Sequence, residues 1–221
     1  MIDQKLRDKL TDAYLALIPL ISLNIIWFVF TVPLVTAIPA AGALFYSTNR
    51  LAHGNGADWR TFFEGFRVCF RRSWGWGILN VIVGAGLLGY FAYFAQNPAD
   101  WGLWVRAFVI VLAFLWLSLQ IYTFPLLIEQ EKPSLREALR NSLVILLKRP
   151  FYSFAVALLI AVIAVTSSLL LAPAWVFITA SLCAYLANGA ALAAIVRLLG
   201  KASPSSDIEP ASVPNKTVKK H

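Results

Sequence analysis

The sequence predicts an all-α protein, a polytopic transmembrane helical bundle of about five spans plus one broken or half helix. Hydrophobic residues make up 59% of the 221 residues and charged residues only 14%, whereas a soluble domain has about 25% charged residues. Apolar stretches recur at the length of about 20 residues that a helical span requires. Basic residues collect in alternate connections between these stretches, which is typical of one side of a membrane.

The N-terminal apolar run, residues 14–46, is interrupted by three prolines. As one helix it would be about 50 Å long at 1.5 Å per residue, which is too long for a hydrocarbon core of about 30 Å and too short for two spans. We therefore predict a span at residues 14–32, followed by a broken element at 33–46 that is re-entrant or a half helix. The side of the N-terminus stays open, because this run can cross once or twice.

Four further apolar stretches each suffice for one span. They are residues 74–94, 103–128, 150–171 and 173–198. Five Arg or Lys residues precede the first of them, five precede the third and five lie at or after the end of the fourth, whereas the other two connections carry none. This bias predicts cytoplasmic basic segments and a cytoplasmic C-terminus. We expect one transmembrane domain over residues 1–200 and a disordered cytoplasmic tail, rich in Ser and Pro, over residues 201–221.

Two basic segments of similar pattern predict an internal repeat. Residues 58–72 (DWRTFFEGFRVCFRR) and 134–148 (SLREALRNSLVILLK) place apolar residues at matching positions after a shift of 76 residues. Each has the spacing of a cytoplasmic amphipathic helix, and each precedes two predicted spans. We expect parallel repeat units at about 58–128 and 134–198, related by a pseudo-twofold axis along the membrane normal.

The amphipathic helices have clear start signals. Asp58 can cap the first helix, and Ser134 with Glu137 forms a capping box in the second. A helix with aromatic residues on one side and Arg on the other tends to lie in the membrane interface, where it serves as an anchor or as a docking surface. We predict that the partner or lipid contacts are made by Trp59, Phe62, Phe63, Phe66 and Arg67.

The sequence holds no pattern of residues that indicates catalysis. His53 is the only histidine besides the terminal His221, and no His, Cys, Asp or Glu residues have the spacing of a metal site. No Asp or Glu falls inside a predicted span, which argues against proton-driven transport. We therefore expect no enzymatic activity, no cofactor and no metal. The net charge of +8 indicates contact with anionic lipid headgroups in the bilayer, not with nucleic acid.

Three amide side chains lie at similar positions within different predicted spans. Asn80, Gln120 and Asn188 are each eight or nine residues from the charged residue that flanks their span, which places them about 13 Å deep. Such amides normally join helices by hydrogen bonds. They would equally suit a site for a sugar or another neutral solute, so both interpretations stay open.

Two motifs resemble the YesL-like family of small bacterial integral membrane proteins. Residues 23–51 (LNIIWFVFTVPLVTAIPAAGALFYSTNRL) contain a span that ends in a Pro/Thr-containing break, followed by an Ala-rich helix similar to the family's "PATAALYY" element. Residues 58–70 (DWRTFFEGFRVCF) resemble its "DFFKSFKENF" segment. The family's "TIG" step appears here as Thr36, Ala37 and Ile38.

This resemblance implies a multi-pass protein of the bacterial cytoplasmic (inner) membrane with no assigned activity or catalytic residues. Members are often encoded beside carbohydrate ABC transporter components and polysaccharide-degrading enzymes, so it implies an accessory or scaffold component associated with carbohydrate uptake, with transporter subunits as partners. The alternative is a small-solute transporter or channel that uses the amide layer of Asn80, Gln120 and Asn188.

Overall fold

The structure, a computed structural model, shows an all-α polytopic helical bundle, as the sequence predicts. It describes the backbone of residues 2–96, 100–170 and 172–202, and the side chains of residues 17–96, 101–169 and 173–197. The elements are α1 (Ile2–Thr31), α2 (Ala37–Ala52), α3 (Trp59–Ala95), α4 (Asp100–Glu129), α5 (Leu135–Lys148), α6 (Pro150–Leu170), α7 (Ala172–Ala174), a π-helical turn (Trp175–Thr179) and α8 (Ala180–Ala202).

Four helices are long and apolar enough to cross a membrane. They are Trp59–Ala95, Trp101–Glu129, Pro150–Leu169 and Trp175–Arg197. The predicted first span contributes a shorter apolar helix, Leu17–Thr31, among the residues whose side chains are described. Of the predicted tail, residues 201–202 continue α8, and residues 203–221 lie outside the described part of the chain.

A tight turn divides the N-terminal apolar run into α1 and α2. α1 passes Pro19 and ends at Thr31, because a residue that precedes a proline, here Val32, is disfavoured in the α conformation. Leu34 then takes a φ of 57°, a left-handed conformation that is rare for a bulky side chain. The second element, predicted as broken, is a regular helix from Ala37, since Pro39 lies in the first turn, where its missing N–H has no helical partner in any case.

α1 and α2 form a hairpin against the start of α3. Ile18 and Ser22 of α1 line a groove with Asp58 and Trp59, and α2 returns to the same end of the bundle. His53, just after α2, contacts Glu129 at the end of α4. We call this end of the bundle the basic end, because both basic connections lie there.

The α2–α3 interface depends on glycines that let the two helices approach closely. A Cβ atom on Gly65 would lie 2.7 Å from Cδ1 of Tyr46, which is closer than atoms can pack. A Cβ on Gly77 would overlap Ile38, and one on Gly42 would overlap Ser73. Small residues of this kind are typical of tightly packed membrane helices.

α3 continues without interruption through the predicted amphipathic segment and the predicted span. No proline separates the two parts, so the amphipathic segment is a direct continuation of the span-length helix. The corresponding segment of the second predicted repeat unit is a separate helix, α5, which ends at Lys148 with Arg149 as its C-cap.

Asn24 joins α1 to the start of α8. It is fully buried, and its side-chain Nδ2 donates to the backbone oxygens of Trp175 (2.7 Å) and Val176 (2.8 Å). Its Oδ1 accepts from the backbone N–H of Ser181 at 2.7 Å. Buried backbone groups must be paired, and a π-helical turn interrupts the normal pairing, so this one amide satisfies the backbone where α8 begins.

Candidate functional site

Two of the predicted contact residues pack inside the protein. Phe62 is 0% exposed, and its ring lies 6.1 Å from that of Phe30 on α1. Phe66 is half-buried, with its ring 5.8 Å from Phe30. Phe62 therefore has no surface to offer a partner, and its contact with α1 positions the start of α3.

The other predicted contact residues lie on one exposed side of α3. Trp59 is 54% exposed and Phe63 is 40% exposed, and Arg67 is also exposed. Phe70, which the sequence interpretation did not include, is 42% exposed. These positions are four, four and three residues apart, which places them on one side of a helix. We call Trp59, Phe63, Arg67 and Phe70 the exposed stripe of α3; it lies towards the basic end.

The start of the stripe is held by a capping box. The Asp58 carboxylate accepts a hydrogen bond from the backbone N–H of Thr61 at 2.9 Å, and the Thr61 hydroxyl donates to the same oxygen. These two hydrogen bonds hold the pKa of the Asp58 carboxyl below its ordinary value, and the one from the backbone N–H has the larger effect. The guanidinium of Arg60 lies 5.2 Å from the centre of the Trp59 ring, a cation–π contact at the exposed helix start.

Asn80 and Gln120 are brought together, as their common depth predicts. The Nε1 of Trp76 donates to Oε1 of Gln120 at 2.7 Å, and Nδ2 of Asn80 donates to the same oxygen at 3.4 Å. Nε1 of Trp116 donates to Oδ1 of Asn80 at 3.1 Å. These hydrogen bonds join α3 to α4 within the apolar part of the bundle.

Asn188 belongs to a different cluster, so the three amides do not form one hydrogen-bonded group. Asn188 is fully buried, and its Nδ2 lies 3.0 Å from three acceptors: the backbone oxygen of Phe45, Oγ1 of Thr48 and the backbone oxygen of Ala184. Its two hydrogens are therefore both paired within the protein. Its Oδ1 accepts from Nδ2 of Asn49 at 3.3 Å. This side chain joins α8 to α2.

A polar cluster at the basic end was not found from the sequence. Asn49 Nδ2 donates to Oε1 of Glu129 at 2.7 Å, and Nε2 of His53 lies 2.8 Å from the same oxygen. Two features of the sequence could have indicated this cluster: His53, the single internal histidine, and Asn49, an amide near the end of α2. Their contact with Glu129, 76 residues beyond His53 in the chain, depends on tertiary packing.

The described residues contain no group of three His, Cys, Asp or Glu side chains that could hold a metal ion. Cys69 and Cys183 are both free thiols. Within the described part of the chain, the polar side chains of these clusters therefore link helices, and the exposed stripe of α3 is a partly apolar surface near the basic end.

Comparison with known proteins gives one family match. Residues 20–91 match a family described as "Protein of unknown function, DUF624". The matched stretch includes α2, most of α3 and the whole exposed stripe. No curated protein matches the chain, and no solved structure matches it. The chain is thus similar, over about a third of its length, to an uncharacterised family.

Proposed function

We propose that this protein is a non-enzymatic accessory or scaffold component of carbohydrate uptake in the bacterial inner membrane. The exposed stripe of α3 binds a subunit of a carbohydrate transporter at the cytoplasmic face. The distribution of Arg and Lys supports the cytoplasmic placement of the basic end and of the C-terminus. The resemblance to the YesL-like family supports the link to carbohydrate transport.

The observation that carries this proposal is the exposed stripe itself. Trp59 and Phe63 remain 54% and 40% exposed on a segment that is continuous with a span-length helix. Trp and Arg are enriched among the residues that dominate binding energy at interfaces. Because Phe62 packs on Phe30, the stripe is preorganised, which lowers the entropic cost of binding.

The alternative function, a solute transporter or channel, ranks second because the amide side chains form hydrogen bonds within the protein. Both amide hydrogens and the amide oxygen of Asn188 already have hydrogen-bond partners within the protein. Asn80 and Gln120 pair with each other and with tryptophans. This arrangement favours a role in helix packing. Unaided solute flux by the purified protein in liposomes, lost in Asn188→Leu with the fold intact, would favour the alternative instead.

The test is a mild-detergent pull-down from native membranes with quantitative mass spectrometry. The variant Trp59→Ala with Arg67→Glu removes two exposed side chains of the stripe and leaves Phe62 and Phe66 in place. We expect recovery of carbohydrate transporter subunits with the wild type, and a loss of at least about tenfold with the variant, as expected for an aromatic anchor of an interface.

The matched control is Trp104→Ala, which removes a tryptophan that is 76% exposed in α4, far from the basic end. It should recover the same subunits as the wild type. Equal recovery with the stripe variant, or no transporter subunits in any sample, would contradict the proposal. Thermal unfolding of each variant in detergent establishes that the fold is retained.

A further inference from the structure

A half-open cavity of about 400 Å³ lies between α1, α2, α3, α4, α6 and α8. This volume is within the range of about 300–1,000 Å³ that is usual for small-molecule sites. Its space comes from alanines on two helices: Ala157, Ala161 and Ala164 of α6, and Ala180, Ala184 and Ala187 of α8. None of the residues that line it is Asp, Glu, Lys, Arg or His.

The first polar group in this cavity is the amide of Gln120. Gln120 is 8% exposed, and its Oε1 accepts hydrogen bonds from Trp76 and Asn80. An indole N–H can only donate, so this contact assigns the oxygen and directs the amide NH₂ elsewhere. Nε2 is buried and has no acceptor among the described residues.

The second polar group is the indole N–H of Trp27 on α1. Nε1 of Trp27 is also buried and likewise finds no acceptor in the described part of the chain. Trp27 and Gln120 line the same cavity. Buried donors are nearly always paired, because an unpaired one is costly. Both residues thus line the cavity and carry a buried, uncharged donor that has no acceptor among the described residues.

We propose that this cavity binds a neutral, apolar molecule with carbonyl or ester oxygens, which accept hydrogen bonds from Trp27 Nε1 and from Gln120 Nε2. The apolar part of the molecule packs against the alanine and aromatic side chains. A sugar is a poor match, because its hydroxyl groups both donate and accept and would lose more hydrogen bonds to water than two donors replace. The natural source is either the ester group of a membrane phospholipid or a free apolar ester.

The test is photocrosslinking of the full chain in phosphatidylcholine nanodiscs. One probe is a fatty acid methyl ester with a diazirine in its chain, and the second is an alkane of equal length with the same diazirine. We expect saturable crosslinks of the ester to residues of the cavity. Trp27→Phe removes one donor and leaves no protein acceptor unpaired. It should weaken binding of the ester probe about fivefold, as expected for the loss of one hydrogen bond. Crosslinking of the alkane probe should not change.

Trp104→Phe is the matched control, since Trp104 is exposed and does not line the cavity. It should change neither probe. Ala161→Leu, which narrows the cavity from α6, should remove the cavity crosslinks of both probes. Crosslinks confined to the outer surface, or an equal ester affinity in the wild type and Trp27→Phe, would overturn the proposal.

Nanodiscs of ether-linked phosphatidylcholine distinguish the two sources. Stronger labelling by the ester probe in ether-linked than in ester-linked nanodiscs would show that a phospholipid ester competes for the cavity. Equal and saturable labelling in both would identify a free apolar ester as the ligand class. A Trp27→Phe variant that lowers ester and alkane labelling equally would show only a lost cavity shape and would refute the role of the donor.

Discussion

The first half of α3 and the separate helix α5 begin alike and end differently. Asp58 caps α3 through the Thr61 N–H, and Ser134, 76 residues later, accepts from the Glu137 N–H at the start of α5. The buried sides also coincide, since Cys69 and Ile145 are 1% and 3% exposed. The two segments thus share their start and part of their buried side, and the internal repeat itself stays a prediction.

They differ at the point where each meets its span. α5 ends at Lys148, and its C-cap Arg149 has a φ of −140° and a ψ of 58°. The next residue is Pro150, which disfavours the helical conformation of the residue before it. The equivalent positions in α3 are Ser73 and Trp74, so the helix continues. One residue therefore decides whether the amphipathic segment is a rigid extension of the span, as in α3, or a separate element, as in α5.

The largest effect should come from copying this break into α3. Trp74→Pro removes a helical hydrogen bond and places the proline ring against the carbonyl of residue 70, which costs about 3 kcal/mol or more in a helix interior. We expect a marked loss of thermal stability in detergent, measured by circular dichroism. The reciprocal change, Pro150→Ala, removes a proline from the first helical position and should have a much smaller effect. Equal stability of Trp74→Pro and wild type would refute the continuous α3.

An intermediate loss of stability should come from the packing of α3 on α2, a contact that the equivalent position of α5 does not make. Gly65 lies against Tyr46 of α2, so Gly65→Ala should destabilise the protein by about 1–3 kcal/mol through overpacking. The equivalent position in α5 is Asn141, which is exposed. Asn141→Ala and Gly86→Ala, where an added Cβ meets nothing within 4 Å, are the controls and should stay close to wild type. Unfolding of the four proteins in the same detergent measures this, and a similar loss in all three variants would contradict the α2–α3 packing.

The smallest effect should come from the chemistry of the two caps. The pKa of Asp58 is lowered from its ordinary value of 3.8 by its hydrogen bonds to Thr61. Because the pKa of Asp58 is lower in the folded protein, its carboxylate stabilises the folded state at a pH above 3.8. This stabilisation is lost as the pH falls through the pKa of Asp58 in the folded protein. We expect the first turn of α3 to loosen in that acidic range, whereas α5, capped by the Ser134 hydroxyl, should not respond.

Hydrogen–deuterium exchange of the amides of residues 59–62 and 135–138, corrected for intrinsic rates, measures this difference. In Asp58→Asn the carboxylate is absent, so the acid-dependent loosening of α3 should disappear. An acid response of the same size in both helices would exclude Asp58 as its cause.

Much of the secondary structure could be predicted from the chain because its causes are local. Length and hydropathy determine which segments can be span-length helices, and Asp58 and Ser134 specify where α3 and α5 begin. Pro150 likewise acts on its neighbour through sterics alone. The turn between α1 and α2 was placed less well, because its left-handed residue is Leu34 and no glycine marks it.

The pairing of side chains between helices could not be predicted from the chain. Asn80 and Asn188 have the same depth by residue counting, yet one faces α4 and the other faces α2. Phe62 and Phe63 are neighbours in one aromatic run, and both rings contact Phe30 of α1. Only Phe62 also packs into the buried cluster that contains Ala40 and Leu44 of α2, whereas Phe63 stays 40% exposed.

The sequence by itself therefore determined the all-α bundle, the helix starts and the break at Pro150, because these depend on local sterics and on the cost of exposing backbone to lipid. Tertiary structure alone decided which residues remain available to a partner or ligand. The exposed stripe of α3 and the two free donors of the cavity arise from how α1, α2, α4 and α8 pack, and packing depends on the rotation and register of helices far apart in the chain.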